Sequence, residues 1–508
     1  MIIFKYCIIF FIDDLSIQKI ELINIKILLY LFSKMNSYNA NNYANNNTNF
    51  NAKYNEKIKD QYGKRNVETD QTLLSDNMLP HAYTIKNRVD YTNLETYSID
   101  PCGCEDADDA FSIFEEGGKL FLAIHIADPT EYINRDSFAW KDIEKQIVTR
   151  YPSNSKPIHM MHKEIMDKAS LMVNEYGDIK LAITILSEIN KDTFHPMDSV
   201  KILFTKIKVK KCNALSYHEA SVSIQTNDTI RIGSQISEAL KKIRGGKTKG
   251  TALNELNNSF LQYTNDVPNL CHNTSDEKKM KQMIAEFAIF ANSFVGEYLK
   301  INFEGVGIYR TCMAKEWLST IYSEITGQEL LNEIIVNGIR AEYLATVSSH
   351  DLVGAPAYCH FTSPIRRLTD CVCHYLLKYI HLENVPVPFT NTQLEKYSGE
   401  CVTKSKLIRK IQYKDLKFRT IQAMNQMLLY KDFLLINYFI SSYKDGFLNI
   451  IIDNISGHSV YISYTLRRPR LITEYVYKKI KYFVITKVTC PDLHDEGSIP
   501  ELDALFVY

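Results

Sequence analysis

The chain lacks the features that would place it in several broad classes. No uninterrupted apolar run reaches the roughly 20 residues that a membrane-spanning helix needs. The most apolar stretch, residues 1–34, is broken by Lys5, Asp13, Asp14, Lys19 and Glu21. This leader resembles a short signal h-region without a clear small-residue cleavage site, and Met35 offers an alternative start. Neither sign of charge is in excess: 59 Lys and Arg balance 59 Asp and Glu. Global charge therefore neither requires nor excludes a polyanionic partner, and local patches decide. The eleven cysteines form no paired framework, which suits a reducing, cytoplasmic compartment better than an oxidising one. No internal repeat is present.

What is there begins with an Asn-rich tract. Residues 36–55, "NSYNANNYANNNTNFNAKYN", hold few core-forming side chains, so 35–77 is expected to be a disordered tether. From Met78 the composition becomes globular. "KLFLAIHIADP" is an apolar run between Gly117-Gly118 and Pro129, as expected of a buried strand. Met280, Met283, Ile284, Phe287, Ala288, Ala291, Phe294 and Val295 recur at helical spacing behind Ser275 or Asp276 as cap. Residues 391–435 read as one or two helices with a basic face, and the β-branched tail as a small β-domain. The expectation is an α+β chain, with a catalytic domain over 78–440 and a β-domain over 441–508.

The informative stretch is "SIDPCGCEDADDAF", which puts Asp100, Asp106, Asp108 and Asp109 within ten residues, just ahead of the strand. Acids so crowded repel one another and raise their own pKa values unless a cation or solvent relieves them. Oxygen ligands favour a hard divalent ion, and the EF-hand pattern does not fit. Spacing alone leaves a metal site and a solvated acidic turn both open. Cys102 and Cys104 in the same loop, and Cys371, Cys373 and His374 downstream, have metal-ligand spacing but no second cysteine pair nearby. A structural or incidental role is favoured for the first pair and core packing for the second.

Two longer blocks carry a resemblance. "RVDYTNLETYSIDPCGCEDADDAFSIFEEGGKLFLAIHIADPTEYI" and "AYCHFTSPIRRLTDCVCHYLL" resemble the signature segments of the ribonuclease II/R family. In that family an RNB catalytic domain carries T-I-D-P-x-x-x-x-D-x-D-D-A and Y-x-H-F-T-S-P-I-R-R motifs. "PIHMMHKEI", "NALSYHEA" and "IAEFAIFANSFVGEYL" are similar to weaker family segments and occur in the right order. The resemblance implies an RNB-type mixed α/β fold followed by an S1/OB-like barrel. The implied activity is processive 3′-to-5′ hydrolysis of single-stranded RNA to nucleoside 5′-monophosphates, with Mg²⁺ or, in its place, Mn²⁺. No small-molecule cofactor, no membrane and a monomer are expected.

Carried over by position, Asp100, Asp106 and Asp109 would hold metal, Asp108 would be the most rate-critical carboxylate, and Arg366 would stabilise charge on the phosphate. Arg367 would do likewise or contact a neighbouring phosphate. Tyr151 and Tyr217 would clamp terminal bases by stacking, and Glu286 would lie near the RNA 3′ end. His125 and Asp128 of "HIADP" are expected to fix the fold around the loop, with His360 and His374 structural. Basic segments at 206–211, 241–250 and 404–419 could supply an RNA path.

The chain departs from the family pattern in lacking recognisable cold-shock domains before Asp90. It also has "HDLV" at 350–353, Leu368 after the arginine pair and Tyr375 after the last histidine. A non-catalytic RNA-binding protein on the same scaffold is the rival reading, and a phosphodiesterase for another substrate is the third.

Overall fold

The computed structural model describes residues 54–63, 80–172, 178–247, 259–314, 333–334, 337–444, 447–467, 481–488 and 502–505. The apolar leader and most of the Asn-rich tract lie outside them. The helices are α1 (54–62), α2 (Phe138–Gln146), α3 (Lys163–Ala169), α4 (Tyr217–Ser223), α5 (Asp228–Lys247), α6 (Ser275–Asn302), α7 (Leu368–His381) and α8 (Asn391–Met427). None of the described helices is long and apolar enough to cross a membrane.

The first strands are β1 (Val89–Asp90), β2 (Ser98–Asp100), β3 (Asp109–Glu116), β4 (Lys119–Ala127), β5 (Ile179–Ile189) and β6 (Pro196–Lys208). All but β2 form a five-stranded sheet in the order β1-β6-β5-β4-β3, in which β1 and β6 alone run parallel. Gly117 and Gly118, at φ 57° and 78°, close a two-residue hairpin between β3 and β4. Two consecutive positive φ angles are what such a turn demands, and glycine supplies them without strain. The turn pairs Glu116 with Lys119, and the ladder then carries Asp109 to a position opposite Ile126 at the other end. A glycine pair thus sets where the acidic loop enters the sheet.

Strand β2 leaves this sheet and pairs in parallel with β7 (Ala214–Ser216), with Asp100 opposite Ser216, while β8 (Ser259–Thr264) with β9 (Val267–His272) and β10 (Val306–Thr311) with β11 (Glu342–Thr346) form two antiparallel pairs. Ser216 caps α4 through a reciprocal box with Glu219, so Tyr217 opens the helix beside Asp100.

Beyond β4 the chain is fixed by a buried ionic group. One Arg88 nitrogen reaches Asp128 and Glu131 at 2.6 Å each. The Lys378 ammonium reaches the same two acids at 3.0 and 2.8 Å. Two cations and two anions balance in the interior, which offsets the desolvation that an unpaired member would suffer. The expectation that Asp128 organises the fold has this physical form. His125 is fully buried between the Thr184 and Ser112 hydroxyls, at 2.8 and 3.1 Å.

Helix α6 buries Met280, Met283, Phe287, Ala291 and Val295, as their spacing predicts. Its cap is Thr274, in a box with Glu277, rather than Ser275 or Asp276. Three adjacent residues can all cap, and the Glu three positions on selects among them. Asn292 on this helix accepts the Phe361 N–H at 2.7 Å and donates to Tyr358 and Thr362 at 3.1 and 3.3 Å. Gly296 lets the loop come close: a Cβ there would stand 2.8 Å from the Ala357 backbone. The loop that leads into "HFTSPIRR" is therefore clamped to α6.

Two expectations about boundaries are corrected. Helix α8 ends at Met427, and β12 (Leu434–Lys444) starts inside the stretch read as helical. A short apolar run such as "FLLINYFI" does not distinguish buried helix from strand by period alone. Residues 54–62, read as part of a disordered tether, form α1 instead. Tyr54 stacks on Phe418 of α8 with centroids 3.6 Å apart, and Ile58 and Tyr62 pack with Ile411. Three apolar side chains on one turn-spaced face are enough to seat this short helix against a larger one.

The tail forms a five-stranded antiparallel sheet from β12, β13 (Phe447–Ile455), β14 (His458–Arg467), β15 (Lys481–Val488) and β16 (Leu502–Leu505), ordered β14-β13-β12-β15-β16. Its core includes Ile421 and Met424 of α8, so this sheet and the helix share one interior.

Asn292→Ala and Gly296→Ala should each lower unfolding stability by about 1–3 kcal/mol, the first by stranding buried polar groups and the second by overpacking. Denaturant titration measures this, and unchanged midpoints in both variants would mean that α6 does not hold the loop.

Candidate active site

The four aspartates arise from one bend in the chain. Asp100 ends β2, Asp106 and Asp108 lie on the extended link, and Asp109 opens β3. The Gly103 turn (φ 79°) reverses the chain, after which backbone bonds from Leu171 to Ala107 (2.9 Å) and from Ala127 to Asp108 (2.8 Å) fix the link. Successive side chains of extended backbone point to opposite sides, so Asp108 and Asp109 serve different neighbours.

Asp108 reaches the second sequence block. One carboxylate oxygen accepts the Ile365 N–H at 2.8 Å, and the other accepts Arg366 Nε at 2.9 Å. Arg366 also donates to the Ser363 hydroxyl at 2.9 Å, yet its side chain remains 45% exposed. The backbone around Arg366 is laced to the segment that carries Tyr151. The Thr149 N–H donates to the Arg366 carbonyl and the Leu368 N–H to the Ile147 carbonyl, both at 2.9 Å. Tyr151, 39% exposed, donates its hydroxyl to Asp106 at 3.2 Å.

Charge is short of compensation on the other side of the loop. Burial and the neighbouring Asp100 push Asp109 up to about 7, against the pull of Arg366 and Arg367. Burial, with Asp106 adding to it, raises Asp100, while the Ser98 hydroxyl at 2.5 Å and Arg366 oppose the rise. Burial pushes Asp108 up as well, opposed by Arg366 and the Ile365 N–H. The Tyr217 phenol is raised by burial and then by Asp109 and Asp100, which puts this ring beside the acids. Its other neighbour is the Lys281 ammonium, 5.4 Å from the ring centre.

The structure thus gathers Asp100, Asp106, Asp108, Asp109, Arg366, Tyr151 and Tyr217. Two other residues singled out from the sequence are committed elsewhere. Glu286 is buried and forked by Arg244, at 2.5 and 3.1 Å, so its carboxylate joins α6 to α5. Arg367 turns to the buried Asp370 at 2.8 Å. Asp370 also accepts the Ser363 N–H at 2.8 Å, which fixes the loop ahead of Arg366. Asp370 was legible within the second block but was passed over. His159, whose Nδ1 stands 3.7 Å from Asp106, was likewise passed over. The Cys104 sulfur lies 3.8 Å from Asp100 and 3.7 Å from Asp106, and burial keeps it a thiol whose one hydrogen can go to either acid. Cys371 and Cys373 are buried on α7 and His374 donates its Nε2–H to the Phe361 carbonyl at 3.1 Å, so that trio packs the core as expected.

The departures are absorbed locally. "HDLV" forms a turn closed by the His350 N–H to the Ala355 carbonyl at 2.8 Å, and Asp351 accepts the Ala314 N–H at 2.6 Å.

The RNB domain model matches residues 88–383, more than half of the chain. The chain belongs to the RNB domain family. The mouse exosome complex exonuclease RRP44 is 27% identical over 337 residues, covering 58% of this chain and 34% of that protein. The chain spans about a third to two fifths of the length of the first curated relatives that it matches. Mycoplasma genitalium RNase R, solved with ribose-methylated single-stranded RNA, has the same fold: TM-score 0.64 at 16% identity, over 83% of this chain and 76% of that one. So does yeast Ssd1, described as a pseudonuclease, with TM-score 0.60 at 17% identity over 77% and 51%. The mixed α/β RNB fold is therefore common to an RNA-bound nuclease and to a pseudonuclease.

RNB-family exoribonucleases generally depend on a divalent metal. Among the described residues, no three His, Cys, Asp or Glu side chains stand in a ready ligand cage. The donor chemistry nevertheless fits a hard cation: the aspartates offer oxygen donors, and Asp100 still raises Asp109 against the pull of Arg366 and Arg367.

The Asp109 shift has a definite sign. Its folded value, about 7, lies above the ordinary 3.8, so the folded state holds the proton more tightly and charging the group costs stability. In EDTA the melting temperature should fall as pH rises from about 4 to about 7, Asp109→Asn should flatten that fall, and Mg²⁺ should restore stability at the alkaline end. A profile identical in the parent and the variant would overturn the assignment.

Proposed function

We propose that this RNB-family chain is a 3′-to-5′ exoribonuclease that processively hydrolyses single-stranded RNA to nucleoside 5′-monophosphates. The observation that carries this reading is the Asp108–Arg366 contact, which joins the acidic loop to an exposed guanidinium. A phosphodiester-cleaving centre needs both halves: acids for cations, and a fork for the phosphoryl oxygens.

In this reading Asp100, Asp106 and Asp109 hold Mg²⁺ or Mn²⁺. The ions, when bound, supply an activated water and a counter-charge for the leaving 3′-oxygen. Arg366 offers its remaining N–H donors to the phosphate. Asp108 and Ser363 hold it at two points, so the fork is pre-oriented, which a lysine could not reproduce. Tyr151 and Tyr217 flank the acids and would stack the terminal bases. Glu286 would act through its ion pair with Arg244 rather than by direct contact with RNA. The C-terminal sheet, by its antiparallel order, is read as an S1/OB-type RNA-binding module.

A non-catalytic RNA-binding role is the second reading. It is favoured by the likeness to a pseudonuclease and by the engagement of both Asp108 oxygens.

Purified protein incubated with uniformly labelled single-stranded RNA and Mg²⁺ separates the two. Mononucleotide release is expected, with a loss of about 10²-fold or more in Asp108→Asn and in Arg366→Lys. RNA binding without release across Mg²⁺ and Mn²⁺ would leave only the second reading. A DNA oligomer checks dependence on the 2′-hydroxyl.

A further inference from the structure

A cavity of about 390 Å³ lies between α8 and the antiparallel pair formed by β10 (Val306–Thr311) and β11 (Glu342–Thr346). Arg310, Arg340, Lys406, Arg409 and Lys410 line it, with Glu342 as the one acid among the lining residues. Glu342 is already taken by Lys406 at 3.0 Å and faces Arg340 at 3.9 Å. The cavity therefore carries a large uncompensated positive charge.

Arg310 is the decisive residue. It sits on β10 opposite Tyr343 and is only 8% exposed, yet its guanidinium has no hydrogen-bonded or ion-paired partner among the described residues. It lies over the Tyr343 ring, 4.7 Å from ring centre to guanidinium carbon. The phenol of Tyr343 is held in turn by His360 at 2.6 Å, which fixes the platform. A buried guanidinium facing further cations is costly unless an anion enters. Burial, Arg409 and Arg367 all weaken its hold on its proton. On α8, Lys406, Arg409, Lys410 and Tyr413 recur at helical spacing along one side of the cavity.

We propose that the cavity is a phosphate subsite for the RNA strand, upstream of the terminal nucleotides, with Arg310 as its fixed anchor and Arg409 and Lys410 as its exposed rim. This rests on the RNA-binding reading given above but not on catalysis.

The test measures fluorescence anisotropy of the full chain in EDTA with 5′-labelled RNAs of about 4 and about 20 nucleotides, a span covering one binding module. Arg310→Met and the double variant Arg409→Ala/Lys410→Ala are compared with the parent. The rim pair is exposed, so it remains informative if Arg310→Met fails to fold. Both variants should bind the longer RNA about tenfold more weakly, with less than about a twofold change for the shorter one. The slope of log affinity against log salt should fall by about 0.7 per lost phosphate contact. Equal losses at both lengths, or none, would overturn the subsite. So would Arg310-dependent binding of adenosine 5′-monophosphate without any effect on RNA. Cleft-dependent binding without nucleotide release in Mg²⁺ would support the subsite while removing the exoribonuclease reading. RNA degradation with unchanged affinity and slope in both variants would do the reverse.

Discussion

The structure turns on the grip of one buried carboxylate on two donors of a distant loop. Asp108 takes the Ile365 N–H and the Arg366 Nε, and these contacts bridge 257 and 258 positions of sequence. Charge-assisted bonds of this kind are short and directional. They decide which way the guanidinium faces and hold the "HFTSPIRR" loop against the acidic link. Without that contact the chain would have an acidic turn and a basic turn, each solvated by itself.

Much of the remaining architecture keeps these two turns in register. The Gly117-Gly118 hairpin places Asp109, the buried Arg88–Asp128–Glu131–Lys378 group ties the end of β4 to α7, and Asn292 and Asp370 hold the loop from either side. Each is a polar device in an apolar interior, where a satisfied bond is strong and an orphaned group is expensive. The site's precision therefore lies in its supporting shell as well as in the acids themselves.

The parts legible in the sequence were those where residue type and order carry chemistry at once. The four aspartates, "HIADP", "HFTSPIRR" and the α6 periodicity led to the fold and to most of the gathered side chains. What escaped depends on who faces whom. No spacing rule shows that Arg244 forks Glu286, that Asp370 claims Arg367, or that Cys104 lies between two acids. The end of α8 and the seating of 54–62 escaped for a related reason. Short apolar runs take helix or strand according to what they pack against, and Tyr54 stacks on a ring 364 residues away in the chain.

The two backbone bonds between the 147–149 segment and the Arg366–Leu368 segment have a mechanical consequence. They make a miniature ladder across the site, bridged at Val148 and Arg367. Tyr151 and Arg366 therefore ride on one piece of backbone, and a displacement of either ring or fork is transmitted to the other. The phenol that meets Asp106 and the guanidinium that meets Asp108 are thus two halves of one jaw, hinged together by main-chain bonds.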